Sequence, residues 1–122
     1  MELRILDLSE LSAAEVEHEA GDAVTRLERA APTEEHGDLG LTVVVLVLGS
    51  AAIHGLAIWL AKRNVSVKNT DEMSLRLAPD GTIEMKVTKT YQGASSSPPD
   101  ASIVEALRTD LSAALKALGA TV

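Results

Sequence analysis

Cysteine and phenylalanine are absent from this 122-residue chain, and Trp59 and Tyr91 are its only aromatic residues. Without cysteine there are no disulfides, no thiolate metal sites and no cysteine nucleophile, a composition that suits a reducing cytoplasm. Without large aromatic anchors, the core has to be built from Leu, Val, Ile, Met and Ala, although apolar residues make up 46% of the chain. The opening residues MELRILDLSE lack the basic segment, apolar segment and small-residue cleavage site of a secretory signal, so none is expected. Positive charge is scarce too: 11 Lys and Arg stand against 18 Asp and Glu, for a net charge of −7. Residues 1–38 carry eleven of the acids and only Arg4, Arg26 and Arg29, so the acidity belongs to one end. A surface that sheathes phosphates must be basic, which excludes nucleic acid as the expected partner. An acidic helix face turned to solvent is the simplest use of this charge.

A chain of this length suits one domain, 1–122, with connectors at about 32–40 and 92–99. Residues 2–8 read as a short strand with apolar contact on both faces. Ser12 and Glu15 have capping-box spacing, and Val16, Ala20, Val24, Leu27 and Ala31 recur at steps of four and three; a helix from about 12 to 30 is predicted, stopped by Pro32. From Val65 to Leu77 the period drops to two, with Asn69 to Glu72 turn-like, which describes two short strands or one bent one. Pro79-Asp80-Gly81 is a hairpin turn leading into a strand over 82–90, with Ile83, Met85 and Val87 on one face and Glu84 and Lys86 on the other. Asp100 caps a helix to about Leu118 whose apolar stripe is Ile103, Val104, Leu107, Leu111, Leu115 and Leu118, and Gly119 ends it.

The most demanding stretch is Leu39 to Ala61, an apolar run of 23 residues broken only by Thr42, Ser50, His54 and three glycines. As one helix it would extend roughly 34 Å at about 1.5 Å per residue, enough to cross a bilayer. The Lys62-Arg63 flank would then put the C-terminus inside, giving a single-pass membrane protein with a small cytoplasmic α+β region. The polar and glycine positions would need neighbours in lipid, however, and an all-apolar helix would complete the core of a small sheet and two amphipathic helices. The expected fold is therefore α+β: a small, mostly antiparallel sheet of three to four strands covered by three helices, one of them a long apolar central helix. In it Leu46, Ile53, Leu56 and Leu60 lie deepest. Ala51, Ala52 and Gly55 form a flat strip for close approach, and His54 is expected as a neutral, hydrogen-bonded core residue.

Catalytic patterns are thin. His18-Glu19 starts a zinc-type helix motif, but Asp22 stands in the second ligand position and no third ligand is indicated. His36 sits in an acidic connector. Ser95 to Ser97 have no histidine placed to activate them, and no glycine-rich phosphate loop is present. No enzyme activity, cofactor or metal is expected.

Gly37-Asp38-Leu39-Gly40, the Ala/Gly/Leu-rich run closing in Trp59-Leu60-Ala61-Lys62-Arg63, Val65 and Val67, the Pro79-Asp80-Gly81 turn and the N-terminal strand MELRIL together resemble the effector-associated constant component domains of bacterial conflict systems. The chain departs from them in lacking a Trp-Leu element in its first helix and in the length of Asn64 to Leu77. What the resemblance implies is a small cytoplasmic, non-catalytic adaptor of antiviral defence. It would bind a protein effector such as a caspase-like or trypsin-like peptidase, or associate with itself into an oligomer. The residues expected at such an interface are Ala51, Ala52, Gly55, Trp59, Lys62 and Arg63.

Overall fold

A computed structural model describes residues 1–29, 42–88 and 99–120. Chain order gives β1 (Glu2–Leu8), α1 (Glu10–Ala20), a 3-10 turn (Gly21–Ala23), β2 (Val24–Arg29), β3 (Thr42–Val47), α2 (Ser50–Lys62), β4 (Met73–Leu77), β5 (Ile83–Val87) and α3 (Ala101–Ala117). The strands form one five-stranded sheet in the order β2-β3-β1-β5-β4. Three neighbouring pairs are antiparallel, whereas β1 and β5 run parallel, so the sheet is mixed and has one strand more than expected.

The chain is α+β as anticipated, but two predicted helices are corrected. The helix expected over 12–30 ends at Ala20, because Gly21 takes φ +56, a conformation suited to glycine. Val-Thr-Arg-Leu-Glu-Arg then continues as β2, so Val24 and Leu27 belong to a strand. The N-cap is Ser9, whose Oγ accepts from the Ser12 backbone N–H at 3.1 Å, in place of the expected Ser12 box. The long apolar helix does not form. Its first part is β3, rich in β-branched residues that pack well on a pleated surface, and its second part is the 13-residue α2. The helix spans only about 20 Å at its rise per residue, and no helix among the described residues is long and apolar enough to cross a membrane. The alternative of a single membrane-spanning helix over 39–61 is therefore not supported by the described part of that run, 42–61, which divides between strand and helix.

One face of the sheet carries the core. Leu3, Ile5, Val44, Leu46, Met73, Ile83 and Met85 are buried there in matching register, under Val16, Ile53, Leu56, Trp59, Leu60, Leu111 and Leu115 from the helices. The expected depth of Leu46, Ile53, Leu56 and Leu60 is thus found. In β1, Asp7 adopts φ +56 and the pairing with β3 shifts between Ile5 and Leu8. The irregularity turns Leu8 to the core beside Leu3 and Ile5, so the strand is less two-faced than its alternation suggested.

The β4–β5 hairpin follows the predicted turn, with Gly81 at φ +89 and the Ala78 N–H donating to the Thr82 carbonyl at 2.8 Å. Residues 65–72 form turns ahead of β4 and add no second strand. Asp100 caps α3 by accepting from the Ser102 N–H at 2.8 Å, and Gly119 leaves it at φ +100. Of the predicted stripe, Val104, Leu107, Leu111 and Leu115 are buried, while Ile103 is exposed. The connector at 32–40, with His36, and that at 92–99, apart from Pro99, lie outside the described residues, as do the expected strand end at 89–90 and Ser95 to Ser97.

Candidate interaction surface

The small residues of α2 meet α1. At Gly55 an added Cβ would lie 2.6 Å from both Ala20 Cα and the Glu19 carbonyl oxygen, so only glycine lets the two backbones come this close. Ala52 and Trp59 are buried in the same layer and Ala51 is exposed. At the C-terminal end of α2, Lys62 Nζ donates to Glu19 Oε1 at 2.6 Å. Arg63 donates to Ser12 Oγ at 2.7 Å and to Glu15 Oε1 at 3.2 Å, and its guanidinium carbon stands 4.4 Å from the centre of the Trp59 ring. Of the six residues expected at an interface, Gly55, Trp59, Lys62 and Arg63 thus face α1 of the same chain, Ala52 is buried, and Ala51 stands on the surface. His54 is exposed on α2, not buried as expected.

Two open grooves flank α2. One of about 220 Å³ is lined by Glu15, His18, Glu19 and Lys62 over Trp59; the other, of about 480 Å³, lies between α2 and α3 and includes Ser50, Ile53, Arg108 and Lys116. Among the described residues no three His, Cys, Asp or Glu side chains gather as a metal site.

The sheet face turned away from the helices is the more extensive surface. Alternation along the strands sends every second residue there. Register aligns Arg26 with Val45, Val45 with Arg4, Arg4 with Glu84, and Glu84 with Arg76, one row across all five strands. Opposite charges are paired along and beside this row. Arg26 donates to Glu28 at 3.0 Å and to Glu2 at 3.1 Å, Arg76 Nε donates to Glu84 at 2.6 Å, Lys86 lies 3.4 Å from Asp7, and Arg4 lies 3.5 Å from Asp80. Glu28, and then Glu2, raise the pKa of Arg26 above its ordinary value by hydrogen bonding to the charged form. The Thr82 hydroxyl and backbone N–H, with Arg4 contributing less, hold the Asp80 carboxyl below the ordinary range. Val45 is fully buried between its register partners Arg4 and Arg26, whereas Val47, at the end of β3, is 48% exposed.

The face therefore joins nine charges of both signs to the half-exposed side chain of Val47. Glu84 and Lys86 on this side were legible from the β5 alternation. Arg26 and Glu28 were missed, because their strand was read as helix: Val24 and Leu27 stand three apart across a register shift and show no alternation, so Gly21 is the one mark of the break. Comparison with protein families, with curated proteins and with solved structures found no match to this chain.

Proposed function

We propose that the chain is a cytoplasmic, non-catalytic interaction module that docks on a protein effector through the helix-free face of its sheet. The observation that carries this reading is the row Arg26, Val45, Arg4, Glu84, Arg76 with its flanking carboxylates. A mosaic of paired charges has little net field to attract a polyanion, and it matches a protein surface of mixed charge, where complementarity sets register and partner choice. Arginine is also the charged side chain that most often anchors an interface. The resemblance to effector-associated constant component domains makes a peptidase-like effector of a bacterial conflict system the partner to try.

The test is calorimetric titration of the full chain with a caspase-like or trypsin-like peptidase effector of the kind the resemblance implies. Binding is expected, and Arg76→Ala with Lys86→Ala should weaken it about tenfold or more, the effect of losing one interface arginine. Their side chains are 72% and 52% exposed, so the thermal transition should barely move. Absence of binding, or an affinity indifferent to both substitutions, would overturn the assignment.

A further inference from the structure

Among the described residues strand β2 is one edge of the sheet, and its outward charges have a twofold pattern. Arg26, Leu27 and Glu28 follow one another, with Arg26 and Glu28 on the helix-free face and Leu27 on the helix side, where it is 41% exposed. An edge strand offers free backbone donors and acceptors to any chain that can align with it, and charged side chains ordinarily discourage that alignment. Here they select one alignment.

In an antiparallel pair of identical strands, residues equidistant from the centre face each other and share one side of the sheet. Centring on Leu27 sets Arg26 against Glu28 of the second copy and Glu28 against its Arg26, two reciprocal ion pairs, with leucine meeting leucine on the helix side. Centring on Arg26 would oppose two arginines, and centring on Glu28 two glutamates. Slipping by one residue would turn the helix layers of the two copies to opposite sides. Within one copy Arg26 is shared by Glu2 and Glu28, so a second guanidinium meets a carboxylate already dividing one. The other edge lacks this complementarity: in β4, centring on Leu75 sets Arg76 against Ser74, and Arg76 is held by Glu84.

We propose that β2 pairs antiparallel with β2 of a second copy about Leu27, joining two five-stranded sheets into one. This seam shares Arg26 and Glu28 with the face assigned to the effector, but Arg76 and Lys86, which test that assignment, lie on the far strands β4 and β5, and the seam is tested on the chain alone.

Sedimentation equilibrium of the full chain over rising concentration is expected to show a reversible dimer. Arg26→Glu places like charges opposite each other in both pairs, and so does Glu28→Arg. Each variant alone should raise the dimer dissociation constant at least tenfold. Mixed in equal amounts, the two should associate again, because each then supplies the charge the other lacks. The double variant R26E/E28R should dimerise with itself, which keeps the test alive if a single variant folds poorly. A wild-type chain that stays monomeric up to its solubility limit would overturn the proposal. So would a dimer that ignores both single substitutions but dissociates on Leu75→Lys, or two single variants that stay monomeric when mixed.

Discussion

Replacing Gly55 by alanine sets two effects of known sign against each other. In an unobstructed helix interior the change stabilises by about 1 kcal/mol, because glycine loses more backbone freedom on folding. At this position the new methyl carbon would stand 2.6 Å from Ala20 Cα and from the Glu19 carbonyl oxygen. Carbon atoms settle about 3.5–4.0 Å apart, so α1 and α2 must separate by roughly 1 Å. Both atoms met are main chain, which cannot swing aside as a flexible side chain does. Overpacking of this kind costs roughly 1–3 kcal/mol, and a clash with backbone belongs at the upper end. The net expectation is a loss of about 2 kcal/mol, or roughly 6–10 °C in Tm for a chain of this size. Urea unfolding followed by fluorescence reads it directly, since Trp59 is the only tryptophan and is fully buried. Ala106→Gly, at an exposed position in the interior of α3, calibrates the backbone term alone and should cost about 1 kcal/mol. A Gly55→Ala protein as stable as the wild type, or more so, would refute the close approach of α1 to α2.

Two further outcomes follow from the same region and from the loops. Arg63 has a side chain only 7% exposed and binds Glu15, Ser12 and the face of Trp59, so Arg63→Ala should cost about 2 kcal/mol; a double-mutant cycle with Glu15→Gln in urea unfolding should recover about 1 kcal/mol as their coupling, and zero coupling would show the pair to be incidental. Asp80 and Asp100 have folded pKa values below the ordinary carboxylate range, through Thr82 and Ser102 respectively. Their contribution is therefore complete above the unfolded pKa and is lost as pH falls through that range towards the folded values. Unfolding midpoints measured down the acid limb should fall less steeply for Asp80→Asn/Asp100→Asn than for wild type, with parallel limbs as the result that denies them a role.

How far the sequence revealed this fold depended on whether local pattern and tertiary setting agreed. The β4–β5 hairpin and α3 were legible because each carries its own punctuation, Pro79-Asp80-Gly81 in one and Asp100 and Gly119 in the other. Strand β2 was not, because Val24 and Leu27 happen to continue the three-and-four spacing of Val16 and Ala20 across the break at Gly21. Strand β3 was hidden for another reason. A strand buried on both faces shows no alternation, and an apolar run of that kind has the same periodicity as a buried helix. The distinguishing mark is composition, Thr-Val-Val-Val-Leu-Val before Gly49 against Ser-Ala-Ala-Ile-His-Gly-Leu-Ala after it. The charged sheet face was partly legible for the same reasons: β5 alternates openly, while β1 was read as apolar on both faces and Arg26 and Glu28 were misplaced with their strand.

The sheet order has a consequence for how the chain assembles. Strand β1 is synthesised first yet lies in the middle, bonded to β3 on one side and to β5 on the other. The two outer units, β2–β3 and β4–β5, are each local hairpins, but Leu3 meets Ile83 only across most of the chain. On a ribosome the first half can therefore form β1, α1 and the β2–β3 hairpin while one side of β1 waits for a partner. Closing that side is the step of highest contact order and the expected rate limit of folding. Until it closes, the central strand is itself a sticky edge, and a nascent chain stalled before Ile83 is the form most exposed to aggregation.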